Sequence, residues 1–323
     1  MVNLDDKMKS SDISYNFSVA KVLSILMVAT GHYFGGILWI PTTVALFVFA
    51  FSSGYFSALK YTGNFSIKQF WIAKVVRLGF GLVFINFFLL LLFVLQGKSN
   101  IVTWDSVLGV VGLSSVLNWL NLPYKSPFGS GLWFLTALYI FYLVYPLVER
   151  INRNLWRASV FALLMLIVTT FLNFNVHVPY ELWMTAFGFL FGSYAATIQI
   201  RMPLAMASGI LIASVVTMLA LNKFWCINSL NYYMMLLASI SVCGILLAYR
   251  LPDFFARFSS IFSECIFEIY LIHTYLFLRI HDQNIVGYIA SISLILLVAN
   301  TLSKLRKMIV SDIKNRLVSG GLA

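Results

Sequence analysis

The sequence predicts an all-α, polytopic integral membrane protein: a helical bundle of about ten transmembrane helices with both termini in the cytoplasm. Composition, the length of the apolar runs and the sidedness of positive charge predict it. Of the 323 residues, 61% are hydrophobic and only 10% charged, against roughly 45–50% and about 25% in soluble domains. Such a chain cannot cover itself with polar surface in water. In a bilayer the backbone must satisfy itself, which leaves helices or closed barrels. Barrel strands alternate over about ten residues, whereas this chain carries unbroken runs such as FGLVFINFFLLLLFVL and ASISVCGILLAY.

A crossing helix needs about 20 apolar residues. In chain order the candidates are residues 16–34, 41–59, 72–95, 131–149, 158–174, 181–199, 204–221, 230–249, 259–279 and 285–303. Residues 1–16 are polar and no small-residue cleavage pattern follows the first run, so that run is expected to be a retained span. The expected organisation is a cytoplasmic tail over 1–15, a membrane domain over 16–303 and a basic cytoplasmic tail over 304–323. One connection is long, about 96–130, with Trp104, Trp119, Pro123, Pro127 and Gly129. It faces outward on this topology and reads as a lid or as an interfacial segment.

The net charge of +11 tests the topology. With the N-terminus inside, the inner loops hold Lys60, Lys68, Lys74, Arg77, Arg150, Arg153, Arg157, Arg201, Arg250 and Arg257, and the inner tails hold seven more cations. The outer loops hold Lys98, Lys125, Lys223 and Arg279. This is the positive-inside pattern, and it requires an even number of spans. No basic domain stands outside the membrane to serve nucleic acid. Cys226, Cys243 and Cys265 form no CxxC or Cys/His cluster, so no metal site is predicted and the thiols read as small hydrophobes.

Ionisable side chains inside spans are costly and are functional candidates by default. The first span carries Lys21 and His32. Eleven residues apart, they differ by about 20° around a helix and lie about 16 Å apart along it, on one face. Separately, Lys21 reads as a snorkelling cation and His32 as an interfacial imidazole; together they read as a polar path. Lys74 and Arg77 open the third span three residues apart on one face, either as a topology determinant or as a clamp for phosphates. The ninth span carries Glu264, Glu268, Tyr270 and His273. A buried glutamate requires a cation, a proton or water, and Lys21, Lys74 and Arg77 are the expected partners. His177 and Glu181, at the outer mouth of the sixth span, read as solvated loop groups, and Asn86 as an interhelical hydrogen-bonding group.

These residues sit in a familiar pattern. AKVLSILMVATGH (20–32), with Lys21 and His32, resembles the first-span motif of the acyltransferase-3 family, in which a basic residue, most often Arg, precedes a His by eleven positions. LFVFAFSSGYF (46–56) resembles its second-span pattern, FWIAKVVR (70–77) its Arg-x-x-Arg motif, LWFLTALYIFYLVYPLV (132–148) its fourth-span pattern with Trp133 and Pro146, and IFEIYLIH (266–273) its late Ser-Tyr-x-x-Tyr-Leu-x-His. Lys21 and Lys74 stand where Arg is commoner, which keeps the charge but loses bidentate phosphate geometry. Ile266 and Phe267 replace Ser-Tyr.

The resemblance implies a bacterial inner-membrane O-acyltransferase. Such an enzyme moves an acetyl group from acetyl-CoA, a substrate and not a bound cofactor, to a carbohydrate or lipid-linked glycan. It implies catalytic roles for His32 and Lys21, donor binding by Lys74 and Arg77, and an acceptor-side or supporting role for Glu268, Tyr270, His273 and Ser53. Ser53-Gly54 is expected to let the second span pack closely on the first. Expected partners are acetyl-CoA, the glycan and membrane lipids, with no nucleic acid. A transporter or flippase for a lipid-linked sugar is the alternative reading of the same intramembrane polar groups.

Overall fold

In the computed structural model the described residues are 9–61, 65–98, 101–129, 131–176, 178–222, 228–279 and 284–320; the side chains of Arg77, Asn228, Ser229 and residues 311–320 are not among them. These residues form thirteen α-helices: α1 Ser10–Phe34, α2 Trp39–Lys60, α3 Ile67–Leu95, α4 Ser106–Val110, α5 Ser114–Trp119, α6 Trp133–Asn152, α7 Leu155–Asn175, α8 Tyr180–Ile198, α9 Leu204–Ala220, α10 Asn228–Ala248, α11 Phe254–Phe262, α12 Ile266–Ile272 and α13 Ile285–Gly320. The described residues contain no strand. The all-α fold class predicted from the apolar runs is the one observed.

Seven helices are long and apolar enough to cross a membrane: Ser10–Phe34, Gly36–Lys60, Ile67–Leu95, Trp133–Asn152, Leu155–Asn175, Leu230–Ala248 and Ile285–Val310. The other three predicted spans differ for identifiable reasons. α8 carries Glu181, Thr185, Gly188, Gly192 and Ser193, residues that serve contact with protein and dilute its hydropathy. α9 has only 17 residues. The ninth predicted span is not one helix. The amide of Cys265 donates to the carbonyl of Phe262, three residues back, at 3.1 Å, which closes α11, and α12 begins at Ile266.

The chain divides into two compact units. The first comprises Met1–Phe65 and Ala137–Ser259, and its centre is the packing of α2 on α8. A Cβ at Gly54 would lie 2.0 Å from the Phe189 carbonyl oxygen, one at Gly192 would lie 2.1 Å from that of Phe51, and Gly188 faces Phe47. Gly188 and Gly192 are four apart, as are Ala50 and Gly54. Each helix thus presents the small-xxx-small stripe that lets backbones approach when lipid supplies no hydrophobic force between helices. The expectation for Gly54 is therefore corrected: its close partner is α8. The tight approach of α1 to α2 occurs instead at Gly31, where a Cβ would meet Thr42 Oγ1 at 2.2 Å. The α1–α2 connection turns through Gly35 and Gly36, whose φ values of 67° and 58° suit glycine. Phe17, Phe51 and Tyr55 stack across α1 and α2 with centroids 5.7–5.9 Å apart. Near the other end of α1, Asn16 is fully buried. Its amide donates to the carbonyls of Leu246 and Tyr249 and accepts from the Leu251 amide, so it satisfies the orphan groups at the end of α10.

The second unit comprises Ser66–Thr136 and Ser260–Ala323. α3 meets α12 at Gly81, where a Cβ would come within 2.7 Å of the Phe267 ring, and α12 packs along α13. The long connection is tied to its neighbours by side-chain hydrogen bonds. Asn86 donates to the carbonyl of Val110 at 2.6 Å, and Thr136 to that of Gly112 at 2.7 Å. Asn86 lies nine residues before the end of α3, about 13 Å inside it. α4 and α5 therefore form a helical hairpin, and side chains of α3 and α6 satisfy the carbonyls at its tip. Phe128 and Tyr275 close on Phe93 at 5.1 and 5.5 Å.

Candidate functional site

In the first unit α1 is one continuous helix, so the predicted shared face of Lys21 and His32 holds. Ile25 and Val28 lie between them on the same stripe, and both are buried. The stripe Lys21–Ile25–Val28–His32 therefore faces protein, with its two polar ends half-buried. The His32 ring packs edge-on against Trp39, at the start of α2, with centroids 5.0 Å apart. The Lys21 ammonium lies 5.7 Å from the centroid of Phe56, near the other end of α2, a range at which a cation is attracted to an aromatic face. Ser53, between these levels on α2, is hydrogen-bonded to the Tyr142 hydroxyl at 2.9 Å. Lys21, His32 and Ser53 thus belong to one unit.

The same unit corrects the reading of Glu181. It is not a solvated loop group but a buried one, 9% exposed, in the first turn of α8. The Tyr180 hydroxyl interacts with the side chains of Thr43 and Glu181. His177 lies outside the described residues.

In the second unit the Lys74 ammonium sits 5.2 Å from the Phe70 ring centroid. Arg77 lies on the same helix, but its side chain is outside those described. Glu268 has 0% exposure and pairs with Arg306 Nε at 2.7 Å; Glu264 pairs with Lys307. Within this unit, two cations of α13 are thus found on the two carboxylates. That helix runs unbroken from Ile285 to Gly320, so Arg306 and Lys307 are held on it. The missed signal lay in the order of types: carboxylates four apart, and two adjacent cations just past an apolar run.

Tyr270 is spent on the backbone. Its hydroxyl accepts from the Phe134 amide at 3.1 Å and donates to the Gly131 carbonyl at 3.3 Å. Phe134 N–H is one of the orphan donors of the first turn of α6, so Tyr270 fixes where that helix starts. His273 is fully buried, with Nδ1 2.7 Å from the Tyr270 carbonyl oxygen. A carbonyl only accepts, so Nδ1 carries the proton. In a neutral ring that leaves Nε2 as the basic nitrogen. Its ring also packs on Phe277 at 6.0 Å. Glu268, Tyr270 and His273 are thus brought together on one short helix and its exit.

Cys243 and Cys265 are buried free thiols, and Cys226 lies outside the described residues.

Seven helices of bilayer length among the described residues define a multi-pass membrane protein. The family model for the acyltransferase domain, acyltransferase-3, matches residues 14–304. The chain belongs to that family and is a membrane acyltransferase. No curated protein and no solved structure matches it.

Proposed function

We propose that the protein is an O-acetyltransferase of a bacterial inner membrane, with both termini cytoplasmic, that moves an acetyl group from acetyl-CoA to a hydroxyl of a surface polysaccharide or its lipid-linked precursor. The observation that supports this most is the stripe on α1. An imidazole and an ammonium stand on one face of α1 with buried Ile25 and Val28 between them; the first suits proton transfer and the second an anionic donor. In this reading His32 takes the proton of the sugar hydroxyl. The hydroxyl oxygen bonds to the thioester carbonyl carbon, the C–S bond breaks, and CoA leaves as a thiolate that recovers the proton. Lys21, about 16 Å from His32 along α1, contacts the anionic donor instead of the reacting carbonyl. Lys74 and Arg77 bind donor phosphates as charge-assisted partners.

The test is transfer of labelled acetate from acetyl-CoA in membranes containing the full chain. Label should appear in carbohydrate, and His32→Ala should abolish it at unchanged abundance. A protein that moves a lipid-linked sugar across the bilayer without consuming acetyl-CoA would be a flippase, and the proposal would fall.

A further inference from the structure

Glu181 is a buried carboxylate that nothing in the reaction above uses. Along α8 the residues Glu181, Thr185, Gly188 and Gly192 succeed one another at helical spacing, and all four are buried. Gly188 and Gly192 abut the backbone of α2 at Phe47 and Phe51. The stripe that begins with Glu181 therefore looks at α2, and Glu181 stands at the level of the first turns of α2. Contacts locate it there independently: the Tyr180 hydroxyl engages both Glu181 and Thr43, and Thr43 is bonded back to the Trp39 carbonyl at 2.7 Å. His32 reaches this same turn of α2 from α1, with its ring on Trp39. His32 and Glu181 therefore flank one short stretch, Trp39–Thr43, within a single unit.

One oxygen of the carboxylate, Oε2, has no hydrogen-bond partner among the described residues. A buried acceptor left without a donor costs on the order of 1–3 kcal/mol, more when charged, so a donor is expected to visit. A carboxyl oxygen accepts hydrogen bonds, and a hydroxyl-rich molecule supplies the donor that Oε2 lacks. Trp39 adds a half-buried aromatic surface. A carboxylate beside an aromatic ring suits a pyranose, which carries several hydroxyls around an apolar ring face.

We infer that Glu181 is an acceptor-binding residue, taking a hydrogen bond from a sugar hydroxyl at Oε2 so that a second hydroxyl of the same sugar is presented to His32. The inference rests on the acyl-transfer reading and adds to it where the sugar sits. The competing account is purely structural. A carboxylate in the first turn of a helix stabilises it through the dipole, and that role predicts a change in melting temperature alone.

The experiment uses membranes containing the full chain, acetyl-CoA as donor, and methyl α-pyranosides of glucose, galactose, mannose and rhamnose as acceptor probes. Release of CoA thiol and transfer of label to the glycoside are both read. Glu181→Gln is expected to raise the KM for glycoside at least tenfold while leaving the KM for acetyl-CoA and the glycoside-independent release of CoA within twofold. Glu181→Asp, which keeps the charge, should recover part of the loss. An unchanged glycoside KM in Glu181→Gln, or a lowered melting temperature with no change in KM, assigns Glu181 to helix stability and overturns the inference. CoA release with no transfer to any glycoside overturns it as well. Absence of CoA release in the wild type removes the acyl-transfer reading and this inference together.

Discussion

Arg306 of α13 holds Glu268 of α12 through Nε and Oε1 at 2.7 Å, with the carboxylate wholly buried and the guanidinium side chain 22% exposed. Removing one partner of a buried pair strands the other's charge, which costs about 3–5 kcal/mol, whereas replacing both by apolar groups is often neutral. Arg306→Met is therefore expected to lower the thermal stability of the detergent-purified protein sharply. Glu268→Met with Arg306→Met should recover most of the loss. A double-mutant cycle on melting temperatures checks this; additive losses would mean that the pair is not coupled.

His32 and the pair Lys74/Arg77 are expected to separate kinetically. His32→Ala removes the base and should lower kcat to background with protein still inserted. Lys74→Ala with Arg77→Ala should raise the KM for acetyl-CoA at least tenfold and lower kcat less. Steady-state rates of CoA release against donor concentration decide it. A kcat effect from the α3 pair as large as that of His32→Ala would count against donor binding as its role.

The α2–α8 contact gives a steric prediction with its own control. Gly54→Ala places a methyl 2.0 Å from the Phe189 carbonyl oxygen, a backbone atom that cannot rotate away. Overpacking of this kind costs about 1–3 kcal/mol. Gly79, inside α3, has nothing within 4 Å of its would-be Cβ, so Gly79→Ala should be neutral or stabilise by up to about 1 kcal/mol. The melting temperature of Gly54→Ala should fall while that of Gly79→Ala holds or rises.

Those contacts also mark what the sequence could carry. The periodicity of α1 alone put Lys21 and His32 on one face, and the buried Ile25 and Val28 confirm it, because a continuous helix has one geometry. The seven spans were equally legible, since length and hydropathy are properties of a contiguous run. Partners across the fold were not. Glu268 needed a cation, but nothing local says that it comes 38 residues later. Gly54 announced a close approach without naming α8. The break at 263–265 was hidden because α11, the turn and α12 form one apolar stretch. Glu181 was misread because a charge next to a predicted loop looks solvated until α2 is placed against it.

Outside the spans, Asp105 organises the start of the α4–α5 hairpin. Its carboxylate accepts from the Thr103 hydroxyl and from the amides of Lys125 and Ser126, and these bonds, the Thr103 hydroxyl foremost, hold its pKa below the ordinary 3.8. A depressed carboxylate pKa contributes stability that is present above the unfolded value and lost as pH falls through the folded one. The amides of Lys125 and Ser126 should stay protected from exchange from neutral pH down to about 4. They should lose protection below that, after correction for intrinsic rates. Asp105→Ala should expose them at every pH; protection that persists in this variant would show that the loop is held elsewhere.

Tyr270 tests whether the residues around α12 serve chemistry or architecture. Its hydroxyl is occupied by the Phe134 amide and the Gly131 carbonyl, so it has both a donor and an acceptor duty at the start of α6. Tyr270→Phe leaves the ring in place, 6.0 Å from that of Phe134, but strands a buried amide, at a cost of about 1–3 kcal/mol. The expected outcome is a lower melting temperature with a near-normal kcat below it. His273, whose Nδ1 is held by the carbonyl of the same tyrosine, keeps its orientation in that variant because the backbone contact remains. If Tyr270→Phe instead lost activity by a hundredfold or more without losing stability, the hydroxyl would have to leave α6 during turnover, and its place would be in the reaction.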